Sequence, residues 1–137
     1  MRVLILCTHN ACRSQMAEAL LRWLTNGRCQ VYSAGIQSSM VDPRAVMVLN
    51  EMGVPTDGLR SKSVEEFLGQ PFDIVLTVCD SAREHCPAFP GAARILHWDF
   101  PDPAQAEGTP EQVLEVFRQV RDALLERLRR ELLPMLA

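Results

Sequence analysis

Residues 3–14 read VLILCTHNACRS: an apolar, β-branched run breaks off at Cys7, a short polar loop follows, and a helical pattern starts at Arg13 and Ser14. A strand that passes into a helix through so short a loop commits the chain to an α/β layout around that junction. The spacing C-x5-R also builds a cradle. Backbone N–H groups of the loop Thr8, His9, Asn10, Ala11, Cys12 and Arg13, joined by the free donors of the helix N-terminus, converge on one tetrahedral anion, and the Arg13 guanidinium can grip two of its oxygens. Cys7 lies at the base, where the same positive field favours an anionic sulfur aimed at the central atom of the anion. A cysteine that closes a buried strand is more often a small hydrophobe. Here the strand-to-helix switch, the polar loop and the placement of Arg13 and Ser14 reverse that reading. Of the five cysteines, only Cys7 has an arginine six residues on.

The remaining chain alternates strand and helix. Arg2–Leu6 is a buried strand, and Met16, Ala17, Leu20, Leu21 and Leu24 recur at helical spacing until Asn26-Gly27 stops them. Gln30–Ala34 is a second strand ended by Gly35. Asp42-Pro43 opens a helix with an inward stripe of Val46, Leu49 and Met52, closed by Gly53. Ser63 with Glu66 predicts a capping box for a short helix through Phe67 and Leu68. Phe72–Val78 is a third strand, Asp80–Cys86 a loop or helical turn with Asp80 as its expected N-cap, and Arg94–Trp98 a fourth strand. Thr109-Pro110-Glu111-Gln112 then opens a long helix with the stripe Val113, Phe117, Val120, Leu124 and Leu128. Strands separated by helices pair in parallel, so the expected fold is α/β: a single domain over 1–137, an open four-stranded parallel sheet with helices on both faces. Ligands of such sheets bind beyond the carboxyl ends of the strands, where Cys7, Cys79 and the segment after Trp98 all fall.

Composition narrows the partners. A 47% hydrophobic, 23% charged chain is ordinary for a globular protein, and a formal net charge of -3 argues against nucleic acid or an anionic membrane. With no basic-then-apolar leader pattern and no apolar run near membrane-spanning length, a soluble cytoplasmic protein with reduced cysteines is expected.

Cys79 ends the third strand as Cys7 ends the first, and Cys86 follows seven residues later. Three thiols around one oxyanion cradle suggest a relay in which a second thiol attacks the sulfur of the first and a third moves the disulfide outward. Zinc binding by Cys7, Cys12, Cys79 and Cys86 competes poorly, because the intervals exceed the short knuckle spacing and Arg13 would crowd a cation. Cys79 as plain core is the other alternative. His85, next to Cys86, could tune that thiol, although a histidine in a polar turn is usually a bystander. After Trp98 comes DFPDPAQ, whose Asp99 and Asp102 are both candidates for the general acid that protonates a departing oxygen; as turn formers they would need no such role. Cys29 reads as structural, and Cys12 is close enough in sequence to Cys7 for an off-pathway disulfide.

CTHNACRS, TVCDSAREHCP and HWDFPDPA together resemble the thioredoxin-coupled arsenate reductases built on the low-molecular-weight protein tyrosine phosphatase fold, over essentially the whole chain. The resemblance implies that Cys7 is the nucleophile, Arg13 the oxyanion clamp, Ser14 a hydroxyl that stabilises the thiolate, Cys79 and Cys86 the relay thiols, and Asp102 the general acid. It implies arsenate or phosphate as ligand, thioredoxin or another thiol donor as reductant, and no tightly bound cofactor. Some members of that family hold a potassium ion, and Asn10, Glu18 and Ser33 occupy three of its ligand positions; Lys62 falls among the remaining ones and could supply the positive charge itself. Phosphatases of the same fold usually carry Pro after the cradle Ser and an aromatic after the acid-loop Asp-Pro. Gln15 and Ala104 stand there instead, which favours a small inorganic anion over a phosphotyrosine. A redox sensor that binds an oxyanion without turning it over is the reading from another class.

Overall fold

The computed structural model describes residues 1–136. Its elements are β1 (Arg2–Cys7), α1 (Arg13–Thr25), β2 (Gln30–Gly35), α2 (Pro43–Glu51), a 3-10 turn (Val64–Phe67), β3 (Ile74–Thr77), α3 (Asp80–Glu84), β4 (Arg94–His97) and α4 (Pro110–Arg127). The strands form one parallel sheet in the order β2-β1-β3-β4, with Cys7 in register with Gly35 and Leu6 with Thr77. Val3, Leu4, Ile5 and Leu6 are fully buried, as a central strand covered on both faces requires. Ser33 reaches Glu18 of α1, so one face of β2 lies under α1, and α4 packs on α1 and α2. Tyr32 alternates to the opposite face and meets Phe67 of the 3-10 turn and Phe72, which in turn meets Phe89.

Local signals explain most boundaries. Asn26 closes α1 in the left-handed conformation, Asp42 caps α2 with its carboxylate on the Arg44 N–H, and Thr109 with Gln112 forms a reciprocal capping box on α4. The α4 stripe is buried as expected, and the chain continues past Arg127 in a wider turn that buries Leu128 and Leu132.

Several expectations need correction. Ser63 caps the N–H of Glu65, and Glu66 pairs with Arg60 at 2.8 Å instead of closing a box, because a 3-10 turn brings the second residue rather than the third to the cap. The buried face of α2 is Ala45, Val48 and Leu49; Val46 and Met52 are only half-buried. β3 is the shorter Ile74–Thr77, with Phe72 drawn into the aromatic cluster, and β4 ends at His97. Finally, Cys79 rather than Asp80 is the N-cap of α3.

Candidate active site

The cradle is held by a buried polar network centred on Asn10, which takes a left-handed backbone (φ 53°) and is fully buried. Its amide nitrogen donates to Ser14 Oγ at 2.7 Å and Ser33 Oγ at 2.9 Å, using both of its protons. Ser14 Oγ, already an acceptor there, is 2.8 Å from Cys7 Sγ and is left free to donate its proton to the sulfur. Ser33 likewise donates onward to Glu18 at 2.7 Å. On the other side, Asn10 Oδ1 accepts from Gln15 Nε2 and from the Lys62 backbone N–H, both at 2.9 Å. Gln15 also donates to the Asn10 carbonyl and to the Arg60 carbonyl, tying the loop to the segment before the 3-10 turn. The register of β2 completes the cradle. A Cβ on Gly35 would lie 2.8 Å from both Asn10 N and His9 C and closer still to the Gln37 carbonyl, so only glycine lets the loop pass.

Cys7 lies at the base of a cavity of about 210 Å³ lined also by His9, Ala11, Cys12, Arg13 and Asp102. Arg13 Nη1 donates to the Phe100 carbonyl at 3.1 Å and Nη2 lies 3.7 Å from Asp102 Oδ2. Its Nε is buried with no acceptor among the described residues, a donor that an oxyanion in the cavity would satisfy. Asp102 serves the turn and the site together: Oδ1 caps the N–H of Ala104 at 3.0 Å while Oδ2 faces Arg13. Asp99, the competing candidate, lies instead with Asp80 and His97, their ligand atoms within 4.8 Å of one another.

Cys79 Sγ is 3.2 Å from Thr8 Oγ1 and accepts from the Ala82 N–H at 3.4 Å, so the buried second thiol touches the cradle loop directly. Cys86 is half-buried at the far end of the α3 segment, with its thiol pushed up by burial and directed at the Pro87 carbonyl. His85 binds Ser81 of its own helix, and Cys29 is half-buried near Met1 and Leu24. Cys12 lines the Cys7 cavity, but its thiol is engaged outside the relay. Its thiol donates to Asp42 at 3.6 Å, and burial, followed by the charge of Asp42, pushes it far above the ordinary thiol range.

Of the three potassium-ligand positions, each already has a protein partner. Glu18 Oε1 accepts from Ser33 and lies 3.7 Å from the buried Lys62 ammonium, while Oε2 pairs with Arg22 at 2.9 Å. Lys62 itself donates to the Arg60 carbonyl at 2.7 Å, and burial draws its ammonium below the ordinary range. Sequence reasoning had no signal for Gln15 as the anchor of Asn10 or for the steric role of Gly35. An asparagine four residues before the cradle serine, at a point where a loop must reverse into a helix, is the one hint of a left-handed turn.

Residues 2–136 match the family model of low molecular weight phosphotyrosine protein phosphatases. An arsenate reductase of Halalkalibacterium halodurans is 42% identical over 127 residues, covering 93% of this chain and 91% of the relative. A solved structure of an arsenate reductase in the phosphate-binding state superposes with a TM-score of 0.76 at 34% identity over 93% of both chains. A thioredoxin-dependent arsenate reductase from Corynebacterium glutamicum superposes with a TM-score of 0.70 at 28% identity, over 93% of this chain and 60% of that one.

Proposed function

The chain belongs to the low-molecular-weight phosphotyrosine protein phosphatase family, and from that premise we propose that it reduces arsenate to arsenite through a thiol relay. The observation that carries this reading is the second thiol: hydrolysis needs Cys7 alone, yet Cys79 sits 3.2 Å from the cradle loop and Cys86 lies one short helix away. Arsenate and phosphate share charge and shape, so the cradle takes either, but arsenic(V) can accept two electrons where phosphorus(V) cannot. The Cys7 sulfur attacks arsenic, and an oxygen leaves as water with a proton from Asp102. The Cys79 thiolate then attacks Cys7 Sγ. The S–As bond breaks with its electron pair on arsenic, which departs as arsenite and leaves a Cys7–Cys79 disulfide. Cys86 attacks Cys79, releasing the Cys7 thiolate and forming Cys79–Cys86, which an external dithiol reduces.

The last exchange demands motion. At ~1.5 Å rise per residue, a fully helical path between Cys79 and Cys86 would separate their Cα atoms by about 10 Å, and α3 covers Asp80–Glu84 of that path. A disulfide needs roughly 4.4–6.8 Å, so α3 unwinds as the bridge forms and carries it outward. Thioredoxin is the reductant favoured by the likeness to the thioredoxin-dependent relative. No helix among the described residues is long and apolar enough to cross a membrane. At the potassium position, Lys62 supplies the positive charge beside Glu18, and the residues present do not fit an added cation. Gln15 and Ala104 leave hydrolysis of aryl phosphates as a side activity of the same first attack. The test is arsenate-dependent NADPH oxidation with thioredoxin and its reductase, set against hydrolysis of an aryl phosphate. Coupled oxidation that exceeds the phosphatase rate supports the reading. Hydrolysis alone would make the protein a phosphatase, and neither activity would leave an oxyanion-binding redox sensor.

A further inference from the structure

The relay reading requires α3 to be ordered while Cys79 attacks and to open afterwards, and the fold contains a group suited to that duty outside the cradle. His97, the last residue of β4, bridges two elements. Its Nδ1 is 2.8 Å from Thr77 Oγ1 at the end of β3, and its Nε2 is 3.0 Å from Oδ1 of Asp80, the first residue of α3. The imidazole is mostly buried (19% exposed) while the Asp80 carboxylate is 67% exposed, so the fixed partner holds the movable one. A helix of five residues has little stability of its own. Its other N-terminal anchor is the Cys79 sulfur that caps Ala82, and this cap is drawn away when that sulfur bonds to Cys7. From that moment the grip of His97 on Asp80 is what keeps the first turn docked.

We propose that the Thr77–His97–Asp80 chain is a latch on the relay segment: His97 is a positioning residue that holds Cys79 at the cradle for its attack and releases Asp80 when α3 opens. Asp99 makes the release reversible. Its carboxylate lies within 4.8 Å of both His97 and Asp80, so the imidazole Nε2–H passes to Asp99 as Asp80 leaves, and neither state orphans the ring. The inference rests on the relay reading for its purpose, but the latch itself exists in the resting reduced protein and is testable there.

The experiment is amide hydrogen exchange on the reduced full chain without arsenate, read at Ala82, Arg83 and His85, whose N–H groups bond to Cys79 Sγ, the Cys79 carbonyl and the Ser81 carbonyl. His97→Ala, and Thr77→Val, which frees the ring and gives up only a long 3.4 Å bond to the Leu96 carbonyl, should each speed exchange there by ~2–5-fold, the lower part of the range for a single hydrogen bond. Asp99→Ala, by removing the competing acceptor, should slow it. In a Cys86→Ser background, where the relay stops after one exchange, His97→Ala should also slow arsenite release, while hydrolysis of aryl phosphate by the Thr77→Val protein stays at the wild-type rate. Unchanged exchange in both His97→Ala and Thr77→Val overturns the latch. Faster exchange in a wild-type background that fails to reduce arsenate would uphold the latch and refute the relay, so the two failures are distinguishable.

Discussion

The loop around Cys7 and the segment from Cys79 to Cys86 both carry reactive sulfur, yet they are held in opposite ways. Asn10 alone engages four partners, all buried, and Gly35 leaves the loop no room to shift. The segment beyond Cys79 hangs on one buried alanine, a sulfur cap at 3.4 Å and one partly exposed hydrogen bond from His97 to Asp80. A nucleophile that must meet a developing charge gains from donors fixed in advance, whereas a thiol that must deliver its disulfide elsewhere gains from a helix that costs little to melt. The division of labour is therefore written in the number of buried hydrogen bonds on each side of the cradle.

Variants separate the two regions, beginning with the largest effect. Cys7→Ser is expected to abolish both arsenate reduction and aryl phosphate hydrolysis, since both start with the same attack; turnover retained in either assay removes Cys7 from that role. Cys79→Ser and Cys86→Ser should each lose multiple-turnover reduction with thioredoxin and keep hydrolysis, and wild-type reduction by both would erase the distinction between cradle and segment. Arg13→Ala removes charge-assisted bonds of roughly 1.5–3 kcal/mol, so phosphate and arsenate should both bind about 10- to 100-fold more weakly. Unequal losses for the two anions would mean the clamp reads more than charge and shape. Gly35→Ala forces its Cβ against the loop backbone and is expected to lower unfolding stability by roughly 1–3 kcal/mol; an unchanged melting temperature would show that the loop yields.

The smallest effect concerns Cys12. Burial and Asp42 raise its folded value, so the unfolded chain ionises this thiol while the folded chain holds its proton. That contribution to stability is intact below about pH 8.5, the unfolded thiol value, and falls away as pH rises above it. The half-buried Cys86 shifts in the same direction. Cys12→Ala should flatten the alkaline decline in denaturant midpoints between pH 8 and 10, and Cys12 should be alkylated after Cys29 in a pH series. An alkaline slope that is the same in the variant would count against the burial account.

Features whose cause is local were legible in the sequence. Asp42 before Pro43, Thr109 three residues before Gln112, and Asn26-Gly27 each satisfy or end a helix with groups a few residues away, and each does so in the structure. The C-x5-R spacing was legible for the same reason, since one short loop contains the whole requirement. What escaped depends on contacts between distant segments. Gln15 matters because Arg60 lies beside it, and Gly35 because the loop after β1 crosses it. Cys79 as a helix cap was missed on chemistry rather than distance: sulfur is a weak acceptor and Asp80 is the stronger cap by type, but Asp80 is engaged by His97.

The most direct test of the relay is a single turnover of the Cys86→Ser protein with arsenate and no reductant, followed by acid quench and peptide mapping. About one arsenite released per protein molecule and a disulfide joining Cys7 to Cys79 are expected. Release of arsenite without that disulfide, or a bridge between Cys7 and Cys12 in its place, would contradict the relay.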